Sequence, residues 1–359
     1  MAHAGRPASI AGIIALLLSA LLGPGPATAE EAAAPQGKRP QIKAIEDLGT
    51  ADTGTRTAQT GTPALDQSLA ATQDKQVGEM WRETARLEGE DQFLASVHIL
   101  EELVLLFPAD PHPYWRIAKN YTRLADSLPP TEKDQRTTYF TLAEHWADRG
   151  LDVDPECGEC CLYKVGGLGG RLKARGMLAA AADAPRIAEL LERGIALLSV
   201  RPDHHVNPEL EELYYAAAQF YRTVPEWFWL DWILGVKGSR RRAVEYMRRA
   251  NEISTNIAGP RLEFLVDLGV SLICLGEEDK EPALAAEGLD VLQQVIVLGP
   301  LEPTSRVSVQ HAEILIAEPS KACGYLRHEW ADKPRSPSPA QNAESDPHPG
   351  PRLEPAATK

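Results

Sequence analysis

Three of the chain's five cysteines fall within five positions, Cys157-Gly158-Glu159-Cys160-Cys161. Such a cluster could run thiol–disulfide chemistry, hold a metal or carry a haem. A C-x-x-C at a helix start gains thiolate character from the helix dipole. Thioredoxin-like chemistry sits in a β-α-β context, and no such strands can be read around it. A tetrahedral zinc site usually takes two spaced ligand pairs; Cys274 and Cys323 are distant singles, and there is no second C-x-x-C. Haem attachment needs histidine at 161, which is cysteine. A plainer reading fits the context better: Cys157 and Cys160 form a short disulfide that pins a helix start, and Cys161 packs as a small apolar side chain.

Other chemistry-bearing patterns are sparse. His204 and His205 are adjacent, which does not suit joint ligation of one ion, and neither H-E-x-x-H nor G-x-S-x-G occurs. No metal, cofactor or catalytic residue is expected. The glycines GGLGG at 166–170 lack the preceding strand and the G-K-[ST] of a phosphate loop. Glycine inside a helix costs about 1 kcal/mol against alanine, so these four glycines predict a close approach by another element.

Two further clusters suit binding. EWFWLDWILG, from Glu226, gathers Trp227, Phe228, Trp229 and Trp232. In a helix Phe228 and Trp232 would share a face, with Trp229 beside Trp232, lining a groove or burying an insert against the body. SRRRAVEYMRR, from Ser239, gathers Arg240, Arg241, Arg242, Arg248 and Arg249 into a basic island. It reads either as a site for an acidic partner or carboxylate ligand, or as a solvated helix face. The candidate ligand or partner groove comprises Tyr163, Tyr214, Trp227, Trp229, Trp232, Arg241 and Arg248.

The elements that position these residues read as helix after helix. DQFLASVHILEELVLLF places Phe93, Val97, Leu100, Val104 and Phe107 at three-and-four spacing. YWRIAKNYTRLADSL repeats it through Tyr114, Ile117, Ala118, Tyr121 and Leu124. Further helices are expected over 131–152, 158–177, 185–199, 208–223, 239–254, 260–275, 280–298 and 304–316. Apolar runs end at Pro108, Pro155, Pro202, Pro260 and Pro300, spaced 47, 47, 58 and 40 residues apart. Proline cannot continue a helix, so each closes one hairpin and opens the next. A two-helix unit of this length predicts an all-α, tetratricopeptide-like α-solenoid of about five helical hairpins.

The ends read differently. MAHAGR, the apolar run IAGIIALLLSALL and the small residues closing at Ala27-Thr28-Ala29 have the order of a secretory signal peptide. Cleavage is expected after Ala29, an uncleaved anchor being the alternative. The run is too short for an ordinary membrane span, so none is expected after cleavage. Residues 30–73 read as a disordered linker, 74–330 as the folded body and 331–359 as a disordered, Pro/Ser-rich tail. Export to a periplasmic or extracellular space puts the cysteines in an oxidising setting, with at least one left over. With a net charge of −14, no nucleic-acid partner is expected.

The arrangement Ala143, Ala147, Gly150, Leu151, Pro155 resembles the second helix of a tetratricopeptide repeat. CCLYKVGGLGGRLKARGMLAAAADAPRIAELLERGIAL and VPEWFWLDWILGVKGSRRRAVEYMRRANEIS resemble successive hairpins of the regulator of microtubule dynamics family. In the second, Trp229, Ala243, Met247 and Ala250 match the family pattern, with Met247 where that pattern has phenylalanine. The same region is similar to the T-component of TRAP solute transporters, and the likeness spans roughly 93–316. It implies a non-catalytic helical scaffold with a protein or peptide partner. The T-component likeness implies a ligand-handling accessory role in solute uptake, beside a substrate-binding protein. A thiol oxidoreductase using Cys157 and Cys160 is the reading from a third class.

Overall fold

The computed structural model describes residues 63–129, 131–175, 177–224, 236–299 and 305–327. Every regular element among them is helical. In chain order they are α1 (Pro63–Gly89), α2 (Phe93–Leu106), α3 (Pro111–Ser127), α4 (Lys133–Val153), α5 (Gly158–Arg175), α6 (Met177–Ser199), α7 (Pro208–Thr223), α8 (Arg240–Ile257), α9 (Leu262–Glu278), α10 (Pro282–Leu298) and α11 (Arg306–Ala317). A short 3-10 helix (His204–Val206) precedes α7, and another (Pro319–Gly324) follows α11.

Each helix packs on the next, giving the consecutive hairpins of an all-α helical-repeat fold. The five prolines fall just after the even-numbered helices: Pro108 after α2, Pro155 after α4, Pro202 after α6, Pro260 after α8 and Pro300 after α10. Side chains set several starts. Asp110 caps α3 by accepting from the His112 N–H at 2.9 Å, and Asn207 caps α7 by accepting from Leu210 N–H at 2.8 Å. Pro111 and Pro208 follow as first helical residues, where no N–H is needed.

Two helices begin earlier than the sequence pattern suggests. α1 starts at Pro63, inside the stretch read as linker. α6 starts at Met177 and carries Pro185 within it, because the alanine run MLAAAADA has the propensity to extend the helix ahead of its apolar stripe.

The helices form two rows. Odd-numbered helices meet along one face: Arg116 of α3 bonds Glu88 of α1 at 2.7 Å, α3 packs on α5 and α5 on α7, and Tyr215 of α7 stacks on Phe264 of α9 at 4.4 Å. Even-numbered helices are linked by longer side chains, with Arg242 of α8 on Glu192 of α6 at 2.6 Å and Arg248 of α8 on Glu287 of α10 at 2.6 Å. The core runs through as three successive clusters. Tyr163 packs against the first two, and Tyr214 and Tyr246 against the last two.

The glycines sit where helices come closest. A Cβ on Gly167 of α5 would lie 2.7 Å from the Glu144 nitrogen and 2.8 Å from the Phe140 oxygen of α4. One on Gly170 would strike the Phe140 ring. Gly150 of α4 does the reverse service, since its Cβ would meet Cys160 Sγ at 2.7 Å.

Candidate functional site

A groove of about 780 Å³ lies along the odd-numbered face. From α3 come Lys119, Thr122, Arg123 and Asp126; from α5, Tyr163 and Gly166; from α7, Glu209, Glu211, Glu212 and Tyr215; and from the start of α9, Arg261. Three- and four-residue spacing on each helix brings these side chains to one face. Lys119 Nζ lies 3.2 Å from Glu209 Oε1. Arg261 fans over Glu212 at 2.8 Å, Glu263 at 2.8 Å and Glu211 at 3.2 Å. Acids outnumber bases in the lining, counting Asp91 at its edge. Burial pushes the Glu211 carboxyl up from the usual range, against the pull of Arg261. Burial, helped by Glu209 and Glu212, raises the Tyr163 phenol well above the usual tyrosine range.

A run of stacked rings leads along the same face to Tyr163. Trp81 of α1 stacks on His112 at 4.6 Å, His112 on Trp115 at 5.0 Å, and Trp115 on Tyr163 at 5.8 Å. Arg116 lies over Trp81 and Lys119 over Trp115. The sequence reading missed this run. Its signal was Trp115 beside the apolar stripe of α3 rather than in it.

The structure separates the sequence candidates. Tyr163 lies in the groove. Tyr214 points to the other side of α7, with its ring 5.7 Å from Tyr246 of α8. Trp227, Trp229 and Trp232 lie outside the described residues. Arg241 and Arg248 line a second, smaller depression of about 500 Å³ against α9 and α10.

The arginines of α8 are engaged with carboxylates. Arg240 reaches Glu278; Arg241 reaches Asp279 and Glu281; Arg242, Glu192; Arg248, Glu287; and Arg249, Glu252. Arg240, Arg241, Arg242 and Arg248 are thus rungs between hairpins, and Arg249 pairs within α8.

The cysteines form two pairs at bonding distance, Cys157–Cys160 at 2.01 Å and Cys274–Cys323 at 2.03 Å. Cys157 and Cys160 are both buried at the start of α5 beneath α4 and α6, and the Cys160 N–H donates to Cys157 Sγ at 3.1 Å. Cys161 is fully buried in the central cluster, and burial pushes its thiol up. The second pair was not legible in the sequence, because 49 residues separate its members. Among the described residues no group of three or more metal-ligating side chains converges, and no helix is long and apolar enough to cross a membrane.

Compared with models of known protein families and with curated proteins, the chain matches none.

Proposed function

We propose that this chain is an exported helical-repeat scaffold that binds an extended protein segment in the odd-face groove. The observation that carries the reading is the groove itself: three neighbouring odd-numbered helices and the start of a fourth converge aromatic and charged side chains on one channel. Solenoids bind through such shared surfaces because each repeat adds a few contacts along a track. The excess of acids favours a segment carrying basic residues. Two cysteine pairs at bonding distance suit an oxidising compartment, which supports export.

A crosslinked pull-down from the native host tests the reading. Wild type is run beside Tyr163→Ala, Glu212→Lys and, on the even-numbered row, Arg248→Ala. The expected result is a reproducible partner that disappears with the two groove variants and persists with Arg248→Ala. Retention with the groove variants and loss with Arg248→Ala would move the site to the α8–α10 depression.

A further inference from the structure

The stripe of α7 that lines the groove continues beyond it. Glu212 and Tyr215 face the channel, and Gln219 and Arg222 follow at the same spacing. On α9 the stripe is Phe264, Asp267, Ser271 and Cys274; on α11 it is Ser308 and His311. This continuation is covered by the chain's own segment Pro319–Arg327. Cys323 is bonded to Cys274. Tyr325 is 1% exposed, its backbone is extended and its hydroxyl lies 2.8 Å from His311 Nδ1. Arg222 Nη1 donates to the Tyr325 carbonyl at 2.9 Å. Arg327 Nε lies 4.0 Å from Asp267 Oδ2, and its Nη1 donates to Ser308 Oγ at 3.3 Å. With this cover in place, every residue of α9 from Phe264 to Gly276 is buried.

Open groove and covered end share a hinge of side chains. Tyr215 lines the groove with its ring and donates its hydroxyl to Asp267 Oδ2 at 2.9 Å, while Arg222 reaches Asp267 Oδ1 at 3.5 Å. Arg222, 8% exposed in its side chain, meets the segment through the Tyr325 carbonyl, while the Arg327 side chain at the segment's end remains 30% exposed.

We propose that the groove and its covered end are one track, with Gly324–Arg327 the built-in occupant of the last station. Resting on the groove reading above, the inference names the partner's chemistry: a segment with an aromatic residue two positions before an arginine. Tyr325 and Arg327 both face the body: the ring lies against His311 of α11 and the guanidinium meets Asp267 of α9. Such a segment displaces this chain's own.

The test uses the full chain with Cys274→Ser and Cys323→Ser beside the disulfide-bonded wild type. The probe is the fluorescent peptide KASGYLR, residues 321–327 with serine for Cys323, followed by anisotropy. Untethering lowers the local concentration of the built-in occupant, so the peptide is expected to bind the double variant at least about tenfold tighter than wild type. Alanine for its tyrosine or its arginine is expected to remove about tenfold or more of that affinity. If the double variant does not fold, wild type treated with a dithiol while its helical circular dichroism is retained replaces it. Equal binding to both forms, binding to neither up to millimolar peptide, or indifference to the tyrosine and arginine overturns the proposal. Those outcomes leave the Tyr163 and Glu212 pull-down standing, so the two readings fail separately.

Discussion

Gly167→Ala tests the packing of α5 on α4. The new methyl would lie 2.7 Å from the Glu144 nitrogen and 2.8 Å from the Phe140 oxygen. Both are backbone atoms of α4, so no rotamer change relieves the clash. Ordinary contact begins near 3.4 Å, so α4 and α5 must part by about 0.7 Å. That shift opens the seam where Gly150 meets Cys160. Overpacking of this kind costs about 1–3 kcal/mol, and a rigid backbone clash sits toward the upper end. Alanine's helix propensity returns about 1 kcal/mol. The net expectation is a loss of about 1–2 kcal/mol. Gly169→Ala, one turn-step away in the same helix, is the control. A Cβ there meets nothing within 4 Å, so only the propensity gain of about 1 kcal/mol remains. Guanidinium unfolding followed by helical circular dichroism should separate the two variants by about 2–3 kcal/mol, with Gly167→Ala the weaker. If Gly167→Ala is as stable as Gly169→Ala, the close approach of α4 and α5 is not what selects glycine at 167.

Other expectations follow from the buried groups. Asp267, 1% exposed in its side chain, answers Arg222, Arg327 and Tyr215. Asp267→Asn should lower stability by about 3–5 kcal/mol, because it strands buried guanidinium charge, and an unchanged melting temperature would contradict that. Partial desolvation of His112, stacked between Trp81 and Trp115 though still exposed, and then Arg116, lower its pKa from the usual 6.5. The unfolded chain therefore binds the proton first as pH falls, and stability is lost below pH 6.5. An NMR titration should place the His112 midpoint below 6.5, and His112→Gln should flatten the loss; a midpoint at or above 6.5 would refute it. Under mild dithiol the pair containing exposed Cys323 should open first, while buried Cys157–Cys160 persists and Cys161 resists alkylation until the chain unfolds. Mass spectrometry of the alkylated sites reads the order, and early loss of Cys157–Cys160 would contradict it.

Helix order and hairpin boundaries were legible because proline and apolar spacing are local signals. The prolines at 108, 155, 202, 260 and 300 each follow an even-numbered helix. The GGLGG run announced a close neighbour, and Gly167 and Gly170 meet α4 there. The groove was legible only at Tyr163. Lys119, Glu209 and Arg261 are ordinary charged residues in sequence, and only the stacking of α3, α5, α7 and α9 brings them together. The arginines of α8 were legible as a basic run but their ties were not, since the carboxylates met by Arg240, Arg242 and Arg248 lie about 40 or 50 residues away along the chain. Cys274 and Cys323 read as singles for the same reason.

The most direct test of the account places a photo-crosslinking phenylalanine at Tyr163 of the full chain in its native host. The comparison is the same group at Leu105, which is 76% exposed on even-numbered α2. The account predicts a discrete crosslinked partner from position 163, captured through an aromatic- and arginine-containing segment, and none of it from 105. The same adduct from both positions, or from 105 alone, would contradict binding in the groove.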